Sequence, residues 1–307
     1  MPIKEISRRE FFKISIALAT STFLPKVFLS AKEDLTGPLI GIARGEKKLL
    51  VGAVIDALGG IKKFVSQNDR VLIKPNLSFA AEPEYGATTS SEIIKQVVQL
   101  CLDAGAKEVL IVDYPLANAQ LCIKKSRISE AVIDSKRVKI IMLDRKDEFI
   151  PMEIPDGNVL KKIEVARKVF TCDKIINLPT AKSHSATGVS LGLKNLMGLI
   201  KNRNLLHRLD LDNGIAELSL LIKPHLTIVD ATRALISGGP GGPGKTVILN
   251  TVVAGVDPVA VDSCTVGLAR WYGKSFSGYN VKHLISANKL GLGEIDTKRM
   301  IIKEVVV

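Results

Sequence analysis

Cysteine is scarce: Cys101, Cys122, Cys172 and Cys264 stand far apart, with no C-x-x-C pair among them. A cluster or zinc ribbon held by thiolates needs such pairs, so no cysteine-ligated iron–sulfur cluster is expected. Histidine is as sparse. His184, His207, His225 and His283 show no H-x-x-x-H spacing, which leaves a histidine metal cage unsupported and any metal unknown. Aromatic residues are 5% of the chain and do not alternate with basic ones, so stacking platforms for nucleic acid are missing and no nucleic-acid partner is expected. No uninterrupted apolar run reaches the ~18 residues of a membrane-spanning helix. Membrane contact is expected only through the N-terminal segment.

What the chain does have is positive charge, +12 over 307 residues, spread rather than gathered in runs. The first 31 residues hold five Lys/Arg against two Asp/Glu, so the remainder is basic in its own right. A basic body suits anionic small molecules or anionic surfaces, although a solvated basic surface explains the same count. The length is enough to bury a full core.

Ser7-Arg8-Arg9-Glu10-Phe11-Phe12-Lys13 precedes an apolar run from Ile14 to Leu24. Paired arginines, a phenylalanine and a modest apolar stretch resemble a twin-arginine export signal, with a basic amphipathic helix as the plainer alternative. Leu29-Ser30-Ala31 is a weak cleavage site, which leaves the segment able to remain as an anchor. The resemblance implies residues 1–31 as signal or anchor, the twin-arginine translocation machinery as a partner, and a periplasmic or other extracytoplasmic location. That route carries folded proteins, often with a cofactor already inserted.

From about Leu35 strand and helix signals alternate. Arg70–Lys74, Val109–Asp113, Val138–Met142, Lys174–Pro179, Leu226–Asp230, Val252–Gly255 and Ile301–Val307 read as strands. Ile93, Ile94, Val97, Val98 and Cys101 follow the helical rhythm after a Thr89-Ser90-Ser91 cap, and Gly105 ends the helix. Pro155-Asp156-Gly157 marks a hairpin between Ile150 and Ile163, and Asp257-Pro258 opens a helix through Ala269. The expected fold is α/β: a largely parallel sheet flanked by helices, with a β-hairpin insertion, in a single domain over 32–307 that could divide into two lobes.

The segment His184 to Gly198 is the densest in chemistry. It follows the strand at Lys174–Pro179, and ligands of open α/β sheets bind beyond the carboxyl ends of strands. Lys182, His184, Lys194 and Asn195 gather there, with Gly188 and Gly192 letting backbone approach a ligand. His184 is either a structural histidine or a neutral base whose pKa the lysines lower. Lys74 and Asn76 end a strand and could meet an anion, or Asn76 could satisfy its own turn. Asp230 also ends a strand. Asp257 reads as a helix cap, whereas Asp262, one turn on, does not. Gly239 to Thr246 fits the P-loop pattern in letters, but no strand directly precedes it, β-like residues follow it, and two prolines remove amide donors. A wide turn or a glycine loop covering a ligand fits better.

Lys74-Pro75-Asn76, the run from Ile175 through His184 to Gly198, the glycine-proline stretch from Gly238, and Ala254 to Asp262 together resemble the domain-of-unknown-function family 362, over roughly residues 50 to 272. That family implies no settled activity. His184 and Lys194, ten residues apart among fixed glycines, are also similar to a motif of the nickel-pincer lactate racemases. That likeness implies a lysine-linked pincer cofactor on Lys194 and an acid/base role for His184. The chain departs from the racemase pattern in three places. Leu191 and Leu193 replace Gly and Arg, no Asp-x-x-Arg follows the Lys74 strand, and Asp113-Tyr114-Pro115 stands where a second catalytic histidine would follow.

The expectation from sequence is an exported protein that binds an anionic small molecule or cofactor and, if an enzyme, transfers a proton in a racemase- or isomerase-like reaction. His184 would be the acid/base, with Asp230 or Asp262 orienting it. Lys182, Lys194 and Lys74 would hold the anion, and Asn76 and Asn195 would orient it. A non-catalytic exported ligand-binding or redox-partner protein is the alternative.

Overall fold

A computed structural model describes residues 36–307, so the export signal expected at 1–31 lies outside the described residues. Among those described, no helix is long and apolar enough to cross a membrane.

The central sheet is built first from β1 (Leu39–Arg44), β2 (Arg70–Pro75), β3 (Glu108–Asp113) and β4 (Val138–Met142). A hairpin, β5 (Phe149–Glu153) with β6 (Lys162–Ala166), forms a separate two-stranded sheet. The chain then returns as β7 (Lys174–Leu178), β8 (Thr180–His184) and β9 (Gly188–Ser190). The long strands β10 (Leu226–Leu235) and β11 (Thr246–Gly255) follow, then a short pair β12 (Arg270–Trp271) and β13 (Lys274–Ser275), and finally β14 (Ile301–Val306). The order across the sheet is β14-β1-β11-β10-β7-β2-β3-β4, with β8 joined to β10 and β9 to β8. The pairs from β10 through β7, β2, β3 and β4 are parallel, as is β1 with β14, whereas β11 runs antiparallel to both its neighbours.

Side-chain alternation explains why the parallel strands read as unbroken apolar runs. In β2 and β3, Val71, Ile73, Val109 and Ile111 face one cluster and Leu72, Leu110 and Val112 face another. Helices cover both faces, so neither needs polar residues. The helix Ser91–Asp103 buries Ile93, Ile94, Val97, Val98, Cys101 and Leu102 against the first face. Each such side chain contributes about 1.5–3 kcal/mol relative to exposure.

Three elements depart from the sequence reading. β10 and β11 extend beyond Leu226–Asp230 and Val252–Gly255; the outer half of β11, partly exposed, is the β-like run that follows the glycine loop. The helix after Asp257-Pro258 stops at Val266, next to Gly267; Asp257 caps it through the Ala260 amide at 2.8 Å, as expected. Thr180–His184 is a strand rather than a loop. Pro179 lacks an amide hydrogen, and past it the chain leaves β2 and pairs with β10 and β9 instead. Thr180, Lys182 and His184 therefore alternate onto one side of β8.

Candidate functional site: a cationic cleft

Lys182 and His184 on β8, Ser190 at the end of β9, and Lys194 and Asn195 on the short helix Gly192–Asn195 line a cleft of about 610 Å³. Asn76, Phe79, Met197, Arg203, His207 and Pro240 complete its working wall. The glycine loop between β10 and β11 supplies Pro240, and the Gly239 amide donates to Ser183 Oγ at 3.0 Å. The loop thus covers the cleft and is followed by a strand, not by the helix a phosphate-binding loop requires. Among the described residues no carboxylate lines this cleft, and Asp113 and Asp212 act on its cations from behind the wall. A wall of cations facing the opening suits an anion.

A ladder of carboxamides fixes the geometry. Asn177 Nδ2 donates to the Gly192 carbonyl at 2.9 Å, and Asn195 Nδ2 donates to Asn177 Oδ1 at 2.9 Å. Asn76 Nδ2 donates to Asn195 Oδ1 at 3.0 Å, and Asn76 Oδ1 accepts from Lys182 Nζ at 2.9 Å. Asn76 and Asn195 therefore orient Lys182 and the helix carrying Lys194, and both amides are spent on protein groups. Lys182 also donates to the Ala87 carbonyl at 2.7 Å and lies 4.9 Å from the centre of the Phe79 ring. Burial lowers its pKa to about 7.

Among the described residues Lys194 Nζ has one hydrogen-bond partner, Met197 Sδ at 3.2 Å, and burial with the nearby Arg203 lowers its pKa to about 8. Arg203 stacks on Tyr114 at 4.8 Å and donates from Nε to the Met197 carbonyl at 2.9 Å. Its Nη2 is buried with no partner.

His184 accepts the Ala186 amide at Nδ1, 3.1 Å away. That bond places the ring proton on Nε2. Burial, then Lys194 and Lys182, push its pKa down to about 3. The lowered pKa agrees with the sequence reading, but the ring offers an N–H rather than a lone pair at its free edge. A neutral hydrogen-bond donor fits His184 better than a base.

Four expected site residues stand elsewhere. Lys74 is 0% exposed and lies behind the cleft, paired with Asp113 at 2.9 Å, so its charge is already neutralised. Asp262, pushed by burial to about 7, accepts the amides of Gly192 at 2.7 Å and Leu193 at 2.9 Å. It caps the Lys194 helix instead of orienting His184, and it takes the Gly192 amide that a cofactor would have used. Gly188 provides the left-handed turn (φ +76°) opposite His184 in the β8–β9 pair and does not line the cleft. Asp230 sits in another cleft, with Thr88, Ser90, Thr180 and Thr232, where it accepts from the Ser90 amide at 2.9 Å and the Thr232 hydroxyl at 2.6 Å.

Gly198 is where the backbone must pass the buried pair. A Cβ there would press on the Asp113 carboxylate and on Lys74 Cε and Nζ. Gly198→Ala is expected to destabilise by about 1–3 kcal/mol, as overpacked cores do, read as a lower urea midpoint at unchanged slope.

The family pattern described as domain of unknown function (DUF362) matches residues 71–267, which is more than half of the chain. The chain belongs to this family. Every residue placed in or behind the cleft above, from Lys74 to Asp262, falls within the matched span of this DUF362 protein. Its relatives include the thylakoid-associated protein sll1697 of Synechocystis sp., 26% identical over 224 residues, 68% of this chain and 65% of the relative. The chain thus spans about 65% of that relative's length. Among solved structures, the lactate racemase apoprotein of Thermoanaerobacterium thermosaccharolyticum aligns with a TM-score of 0.49 at 11% identity, covering 77% of this chain and 58% of the other. An uncharacterised protein of Listeria monocytogenes aligns with a TM-score of 0.23 at 10% identity, covering 64% of each chain.

The DUF362 cleft offers an amine for a lysine-linked pincer group but a poor donor set for its metal. His184 spends Nδ1 on Ala186, no thiol or carboxylate lines the cleft, and no group of three His, Cys, Asp or Glu side chains among the described residues could hold a metal. The residues present do not fit that cofactor, and no step below runs through it.

Proposed function

We propose that the cleft binds a small organic anion bearing a carboxylate and moves a proton on it. The observation that carries this reading is the convergence of Lys182, Lys194 and Arg203 on one cleft in whose wall no acid stands among the described residues. A carboxylate would accept from Arg203 and from the Nε2–H of His184. A charge-assisted hydrogen bond of this kind is worth about 1.5–3 kcal/mol.

Lys182 is the proton carrier in this reading. Two of its positions are used by Asn76 and Ala87, so the third holds either a proton or a lone pair toward the cleft. With its pKa lowered to about 7, both forms are populated near neutrality, which is what an acid/base group needs. The reading replaces His184 by Lys182 as the acid/base and keeps the sequence expectation of proton transfer beside a carboxylate. We propose export for the whole protein from the Arg8-Arg9 leader; the thylakoid association in the name of the Synechocystis relative is compatible with a location outside the cytoplasm.

Thermal unfolding with oxamate tests the anion site. Oxamate at about 100 times its Kd adds about 2.7 kcal/mol of stability, a rise of several degrees in Tm. The neutral diamide of the same size is expected to give no rise. Equal shifts with both, or none with either, would remove the anion reading.

A further inference from the structure

We propose that Lys194 is a carbonyl-capturing amine, and that the anion this cleft takes is a 2-oxo acid held as an imine on Lys194 Nζ. The inference rests on the anion reading above and names its substrate class.

The buried lysines of this region differ in one respect. Lys74 has the Asp113 carboxylate and the Pro75 carbonyl as acceptors, and Lys182 has Asn76 and the Ala87 carbonyl with one position left over. Lys194 Nζ meets only a thioether sulfur, which is a weak acceptor. A buried ammonium so poorly solvated, with the Arg203 guanidinium nearby, gives up its proton more readily than an exposed lysine, and the neutral form is the nucleophile.

Met197 ties the amine to the anion-binding group. Its sulfur touches Lys194 Nζ and its carbonyl accepts from Arg203 Nε. Amine and guanidinium are therefore held on either side of one residue. A 2-oxo acid carries its carboxylate on the carbon next to the carbonyl, so a carboxylate on Arg203 brings the carbonyl carbon toward Lys194. The cation-rich wall, the Phe79 ring and Pro240 make the surroundings suited to such a ligand and poor for water.

The step balances without any oxidant or reductant. The Lys194 lone pair forms a bond to C2 while the carbonyl π pair moves to oxygen, which takes a proton from the Lys182 ammonium. The nitrogen then loses a proton to the Lys182 amine. Lys182 returns that proton to the hydroxyl, water leaves, and the C=N bond forms. The imine draws electrons from C3, and the Lys182 amine accepts a C3 proton to give the enamine. The proton transfer of the proposed function thus acquires a chemical driving force.

The test is reductive trapping of the full chain with pyruvate and cyanoborohydride, read by intact mass and peptide mapping. Hydride adds to the imine carbon and leaves a permanent carboxyethyl group on nitrogen. We expect one such group, on the peptide carrying Lys194, suppressed by excess oxamate. Lys194→Met and Lys194→Arg are expected to show none. If oxamate binds but no adduct forms, or the adduct sits on Lys182 or on surface lysines regardless of oxamate, the imine is overturned while the anion reading stands. If oxamate itself fails to bind, the anion reading falls and takes this inference with it.

Discussion

Asp113→Ala is expected to remove a large part of the protein's stability, about 3–5 kcal/mol of a total that is typically only 5–15. Lys74 and Asp113 are both 0% exposed and 2.9 Å apart at Nζ and Oδ1. Asp113 also accepts the amides of Leu77 at 2.6 Å and Tyr114 at 2.8 Å. Removing the carboxylate leaves an ammonium with no counter-charge and two amides with no acceptor, deep in the sheet. Urea unfolding measures the loss directly. Replacing both members, as Lys74→Met with Asp113→Leu, is expected to recover part of it, because a buried pair exchanged for apolar side chains is often neutral. A loss under about 1 kcal/mol for Asp113→Ala would show that the pair is not what holds this corner together.

Lys194→Met is expected to act in the opposite sense on stability and to weaken anion binding at least tenfold, the lower end of about 1.5–3 kcal/mol for a charged partner. Lys194 is buried and, among the described residues, donates only to a sulfur, so methionine removes a desolvation penalty without orphaning a strong acceptor. The pH dependence follows from its pKa, lowered from 10.5 to about 8 on folding. Between those values the unfolded chain binds more protons than the folded one, so the wild-type penalty fades as pH rises. The variant is therefore expected to gain about 1–3 kcal/mol over wild type below pH 8, closing above about 10.5. A variant less stable than wild type at neutral pH would mean the amine has a partner that this geometry lacks.

Much of this was legible before folding. The strands at Arg70–Pro75, Glu108–Asp113 and Lys174–Leu178 announce themselves because both faces are buried and their central positions are apolar. The grouping of Lys182, His184, Lys194, Asn76 and Asn195 was legible too, since strand ends and small residues mark where side chains converge. Their roles were less so. A lysine at a strand end looks the same in sequence whether it lines a cleft, as Lys182 does, or meets a buried carboxylate, as Lys74 does. Asp262 reads as a spare acid because the amides it caps lie about 70 residues away. Arg203 gave no local signal: it is one of 43 basic residues, and its importance comes from Tyr114 and Met197 meeting it in space.

Calorimetric titration of oxamate across pH tests the central claim, that buried lysines of lowered pKa with Arg203 make an anion site. From about pH 6 to about pH 10 the affinity is expected to fall steadily, as Lys182 loses its proton near pH 7 and Lys194 near pH 8. Binding that is absent throughout, or that keeps the same affinity across that range, would contradict it.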